Sequence, residues 1–126
     1  MKLSTRQWLV IAEDGLATAV AMLRSRRYLW AGFIAQQAAE KSLKAVLQEI
    51  SPAAPPRIHD LVELGRRAGL ADGPLLARLE VLKAYYIATR YPENRERVQQ
   101  STTRTLTVEL VQTAKEILTW AQQRLT

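Results

Sequence analysis

The stretch Tyr28-Leu29-Trp30-Ala31-Gly32-Phe33-Ile34-Ala35-Gln36-Gln37-Ala38-Ala39-Glu40-Lys41-Ser42-Leu43-Lys44-Ala45-Val46-Leu47-Gln48-Glu49-Ile50 carries apolar residues at helical spacing and no proline. Leu29, Phe33, Ala39, Leu43, Val46, Leu47 and Ile50 fall on one arc of a helical wheel, which predicts a long amphipathic helix. Ser51-Pro52-Ala53-Ala54-Pro55-Pro56 ends it, because proline lacks the amide donor and clashes with the preceding turn. Two polar residues, Gln36 and Glu40, stand inside the apolar arc. A carboxylate buried there without a partner would be strongly destabilising, so another helix is expected to supply a cation or hydrogen-bond donors.

Outward from this helix, Trp8, Ile11, Ala12, Leu16, Ala19, Met22 and Leu23 recur at the same period, predicting a first helix from Thr5 to about Ser25. Asp60 followed by Glu63 reads as a capping box that opens a short helix through Leu61, Val62 and Leu64, closed by Gly69. A fourth helix after Gly73-Pro74 places Leu75, Leu79, Leu82 and Tyr86 on one stripe and runs to Arg90, where Tyr91-Pro92 ends it. Arg90, four residues beyond Tyr86 on that stripe, is the expected partner of Glu40. Glu93 to Gln100 reads as a loop or a frayed helical start. Ser101 or Thr102 caps a last helix whose apolar face is Leu106, Leu110, Ala114, Ile117, Trp120 and Ala121. No alternating pattern suggests a strand. The expected fold is all-α: an up-and-down antiparallel four-helix bundle with one additional short helix, formed as a single domain over residues 1–126.

The chain has 126 residues, 48% of them hydrophobic and 24% charged, which is enough apolar material for a packed core. It contains no cysteine and one histidine, His59, so disulfides are excluded, and neither a structural metal nor a cofactor is expected. No stretch reaches the roughly 18 apolar residues of a membrane span, and a cytoplasmic location is expected. The net charge of +6 suits nucleic acid or an acidic partner. A solvated basic surface explains it equally well, because no dense Lys/Arg run is present.

Two readings accompany each candidate site residue. Gln36, Glu40, Tyr86 and Arg90 form either a structural hydrogen-bonded network or the lining of a cleft. Gln37, Lys41, Lys44 and Gln48 make an adjacent stripe on the central helix. Its lysines either hold phosphate oxygens or are simply solvated. His59, just before a helix start, either caps and packs or serves in proton transfer or phosphate contact. The chain lacks a phosphate-binding glycine loop, a nucleophile elbow, a Glu-x-x-His pair and a paired Asp-x-Asp. Its only aspartates, Asp14, Asp60 and Asp72, do not make a nucleotidyltransferase.

Three segments together resemble a known family: Gln36-Gln37-Ala38-Ala39-Glu40-Lys41-Ser42-Leu43-Lys44-Ala45-Val46-Leu47, then Pro55 to His59-Asp60-Leu61-Val62-Glu63-Leu64, then Tyr86-Ile87-Ala88-Thr89-Arg90-Tyr91-Pro92. In this order they are similar to the HEPN domain, named for higher eukaryotes and prokaryotes nucleotide-binding. The resemblance spans nearly the whole chain. It implies a helical bundle, usually dimeric, often working with a minimal nucleotidyltransferase in a prokaryotic two-component, toxin-antitoxin-like pair. It also implies either nucleotide or nucleic-acid binding, or metal-independent ribonuclease activity that uses an arginine and a histidine separated by four to six intervening residues. After Arg90, the corresponding places hold Arg95, Glu96 and Arg97. The ribonuclease pattern is therefore missing its general acid/base.

The expected function is a homodimeric module that binds a nucleotide or nucleic-acid phosphate and partners a minimal nucleotidyltransferase. The alternatives are a metal-independent endoribonuclease toxin, with Arg90 and Tyr86 or His59 acting across a dimer cleft, and a structural interaction protein without a ligand. Trp30, Ile34 and Val108 lie off the core-facing arcs and are the expected dimer face.

Overall fold

The computed structural model describes residues 1–126. Seven helices make it up: α1 (Leu3–Arg24), α2 (Tyr28–Ile50), α3 (Leu61–Arg67), α4 (Gly73–Leu82), α5 (Tyr85–Ala88), α6 (Pro92–Ser101) and α7 (Arg104–Leu125). The all-α bundle is as expected, but its fourth arm is broken into α4, α5 and α6. α2 is the hub and touches every other helix. It is therefore buried on more than the one arc that amphipathicity marks, and six consecutive residues, Ser42 to Leu47, are buried. Ala31, Ala35, Ala38, Ala39 and Ala45 keep it slender enough for neighbours on several sides.

α1 turns into α2 through a Schellman motif: the Arg27 N–H donates to Met22 O (2.8 Å) and the Arg26 N–H to Leu23 O (3.1 Å). Arg26 takes the left-handed position, φ 63°, that glycine usually fills. α3 closes the same way, with Gly69 at φ 95° and the Leu70 N–H on Gly65 O. Asp60 caps α3 by accepting from the Val62 and Glu63 amides. The capping box is only half formed, because Glu63 accepts from Arg67 one turn along instead of reaching back.

Four local readings need correction. On α1, Leu9 replaces Ile11 on the buried stripe, and Ile11 is 51% exposed. On the fourth arm, the Tyr86 N–H donates to Lys83 O, three residues back, and this overwinding changes the register. Tyr85 is consequently buried (4% exposed) where the uninterrupted projection put Tyr86, which is half-buried. Residues 93–100 belong to α6, a helix with no buried residue, begun by Pro92 at its first position and Glu93 in its first turn. Neither Ser101 nor Thr102 caps α7. Thr103 does, accepting from the Leu106 N–H (3.1 Å), while Thr102 is buried against the Tyr85 hydroxyl (2.8 Å).

Candidate functional site

Glu40 is 0% exposed, and the fold satisfies it from two sides. On one oxygen, Oε1, His59 Nδ1 lies at 2.9 Å and Gln36 Nε2 donates at 3.3 Å. On the other, Oε2, Lys41 Nζ and Lys44 Nζ both donate at 3.1 Å. Burial by itself pushes the Glu40 carboxyl upward. The hydrogen bond from His59 and the charges of Lys41 and Lys44 outweigh it and hold the group below its ordinary value. Glu40 is thus an ionised carboxylate in the interior. Because it can only accept, His59 Nδ1 must carry the hydrogen, and in the neutral ring Nε2 is then the free nitrogen.

Above this carboxylate the side chains form a stack. The His59 and Tyr86 rings lie 4.1 Å apart, inclined by 17°. The Arg90 guanidinium sits over the other side of the pile, 4.3 Å from the Tyr86 ring centre. The expected direct pairing of Arg90 with Glu40 is not made: Glu40 draws its cations, Lys41 and Lys44, from its own helix and a further hydrogen bond from His59, and Arg90 is exposed. The shift in register at α5 accounts for this, since it turns Tyr86 and Arg90 away from the core. The two charges are joined only through the intervening rings, in the order Arg90, Tyr86, His59, Glu40.

The structure brings all eight sequence candidates into one neighbourhood, in different roles. Gln37 donates to Gln36 Oε1 (2.6 Å) and thereby orients the amide that serves Glu40. Lys44 is buried and Lys41 half-buried, so both ammonium groups neutralise Glu40 and neither stands free in solvent. Gln48 accepts from the Trp8 indole (3.3 Å), whose ring lies 5.7 and 5.9 Å from the two lysine nitrogens. His59, Tyr86 and Ile87 face an open cavity of about 480 Å³ together with Asp60, Glu80 and Lys83. Lys83 bridges Glu80 (2.8 Å) and Asp60 (3.5 Å).

Trp8 and Lys83 escaped the sequence reading. Trp8 looked like one more apolar position on α1, and Lys83 falls at the break between α4 and α5, which no glycine or proline marks. Chemically, the arrangement offers an exposed planar guanidinium backed by two stacked rings, one of which is hydrogen-bonded to a buried anion. These are the elements that grip a base or a phosphate, or accept a proton.

A HEPN domain family model matches residues 5–125. Among solved structures, TT1696 from Thermus thermophilus is similar at 30% identity and a TM-score of 0.81, over 98% of this chain and 99% of that one. ST0689, described as an archaeal HEPN homologue, is similar at 27% identity and a TM-score of 0.77, over 100% of both chains. No curated protein matches. With a family match running almost from end to end and a bundle that superposes along its full length on a HEPN homologue, this chain belongs to the HEPN domain family.

Proposed function

We propose that this HEPN protein is a binding module for a nucleotide or nucleic-acid phosphate, and that the ligand lies against the His59, Tyr86 and Arg90 face. The observation that carries the reading is the stack itself. Arg90 is exposed and unpaired by any carboxylate, while the rings beneath it are fixed by Glu40 from the interior. A base can stack on the outward plane of the Arg90 guanidinium, and charge-assisted bonding to a phosphate is open to the same group. Binding of a labelled single-stranded RNA, or of a nucleoside triphosphate, should weaken about tenfold in Arg90→Ala, the loss typical of one charge-assisted hydrogen bond.

The module is proposed to act as a homodimer and to partner a minimal nucleotidyltransferase, as in toxin-antitoxin-like pairs. The family resemblance supports the partnership. The dimer is supported by exposed Ile11 beside half-buried Phe33 and Ile34 in an open groove between α1 and α2, and by exposed Val108 on α7. Co-purification with the product of a neighbouring nucleotidyltransferase reading frame tests the pairing.

One observation favours a second reading, a metal-independent ribonuclease. Glu40 accepts a hydrogen bond from His59 Nδ1, so that in the neutral ring Nε2 is the nitrogen that would take a proton from a ribose hydroxyl. Against it, Arg95, Glu96 and Arg97 occupy the family's histidine places on exposed α6 positions. Metal-free cleavage of unstructured RNA that disappears in His59→Ala would select this reading over binding alone.

A further inference from the structure

On another part of the surface, three arginines converge on one small cavity. Arg26, Arg27, Trp30, Arg95, Gln99 and Thr102 line a volume of about 260 Å³, and no carboxylate is among its lining groups. None of the three guanidiniums takes part in an ion pair. Arg95 comes from α6 and lies over the Trp30 indole, 5.3 Å from its centre. Arg26 and Arg27 come from the turn before α2.

Like charges gathered in this way repel one another. They also sit beside the positive end of the α2 dipole, where a cation is disfavoured and no acidic residue of the first turn compensates. In the free protein the cluster is an electrostatic cost with no internal partner, and an anion in the cavity removes that cost. Guanidinium forks match the oxygens of phosphate, and Trp30 supplies the wall that holds the Arg95 plane. The volume falls below the roughly 300 Å³ at which small-molecule pockets usually begin, so it suits a phosphoryl or pyrophosphoryl group better than a whole nucleotide.

We propose that this cavity is a second phosphate site, separate from the His59, Tyr86 and Arg90 face, that takes a dianionic phosphate group. The group comes either from a free phosphorylated small molecule or from the 5′ end of an RNA strand. Occupancy also has a mechanical consequence. α6 has no buried residue, and a ligand shared by Arg95 with Arg26 and Arg27 ties that helix to the hub.

The test uses the full chain, inorganic pyrophosphate as the probe, and calorimetry together with amide exchange. Pyrophosphate should bind the wild type and slow exchange in α6. Measured in an Arg90→Ala background, which removes the guanidinium of the other face, affinity should fall about tenfold in Arg27→Gln and again in Arg27→Gln/Arg95→Gln. Neither glutamine substitution should destabilise the free protein, because each relieves repulsion, so loss of binding is not loss of fold. A matched pair of short RNAs then separates the sources. Tighter binding of the 5′-phosphorylated strand than of its 5′-hydroxyl twin assigns a strand end. Equal binding of the two, with pyrophosphate still bound, assigns a free phosphorylated molecule. Absence of pyrophosphate binding, or binding that survives in the double variant, overturns the proposal.

Discussion

Glu40 is the residue on which the site and the stability of the bundle both depend. It is buried, ionised, and matched by a buried lysine, a half-buried lysine and a histidine. Removing it leaves Lys44 charged in the interior, so Glu40→Ala should cost about 3–5 kcal/mol in urea unfolding, and Glu40→Leu/Lys44→Leu less than the sum of the two single changes. The folded pKa lies below the unfolded one, so the contribution is fully present above the ordinary carboxylate pKa. It is lost as pH falls through the depressed folded value. Wild type should therefore lose more stability on acidification than Glu40→Gln; parallel pH profiles for the two would remove the buried-anion account. At this scale the sequence was partly legible. A carboxylate on an apolar arc announces a buried network, because burial is read from the neighbours at helical spacing. Its partners were not legible, since they depend on how residue 59 returns after the proline segment and on the winding at Lys83.

Helix by helix, the long periodic segments were readable and the short ones were not. α2 agrees with its expected bounds because Arg27 precedes a full apolar period and Ser51-Pro52 follows it. α6 was hidden because it has no buried face to impose a period, although Pro92 and Glu93 mark a helix start. The break between α4 and α5 carries no breaker residue. Beside it the Tyr85 ring lies against Gly32 so closely that a Cβ there would meet it at 2.7 Å. Gly32→Ala should thus destabilise by about 1–3 kcal/mol by overpacking, despite alanine's better helix propensity. Gly32→Ala combined with Tyr85→Leu should recover part of the loss. Chemical denaturation checks both, and a stabilised single variant would show that the Tyr85 ring does not crowd position 32.

Across the whole molecule, α2 acts as a hub in contact with six helices, which leaves apolar residues of α1 and α7 on the outside. Ile11, Val10 and Val108 are among the exposed large side chains, and a second copy is the proposed cover. Light scattering at micromolar concentration should give about twice the 14.2 kDa chain mass, and Ile11→Glu should shift it toward the monomer. A wild type that remains at the chain mass would leave that face to another partner. Trp30, expected on the same interface, packs edge-on to Phe33 and beneath Arg95 within the chain.

The His59, Tyr86 and Arg90 face is proposed to bind phosphate-bearing ligands and to leave them intact. Fluorescence anisotropy of an end-labelled, unstructured RNA without metal, followed by electrophoresis of the same samples, tests it most directly. Saturable binding is expected, weakened about tenfold in Arg90→Ala, with the strand uncut in both proteins. Binding that ignores Arg90→Ala, or metal-free cleavage that Arg90→Ala abolishes, would contradict it.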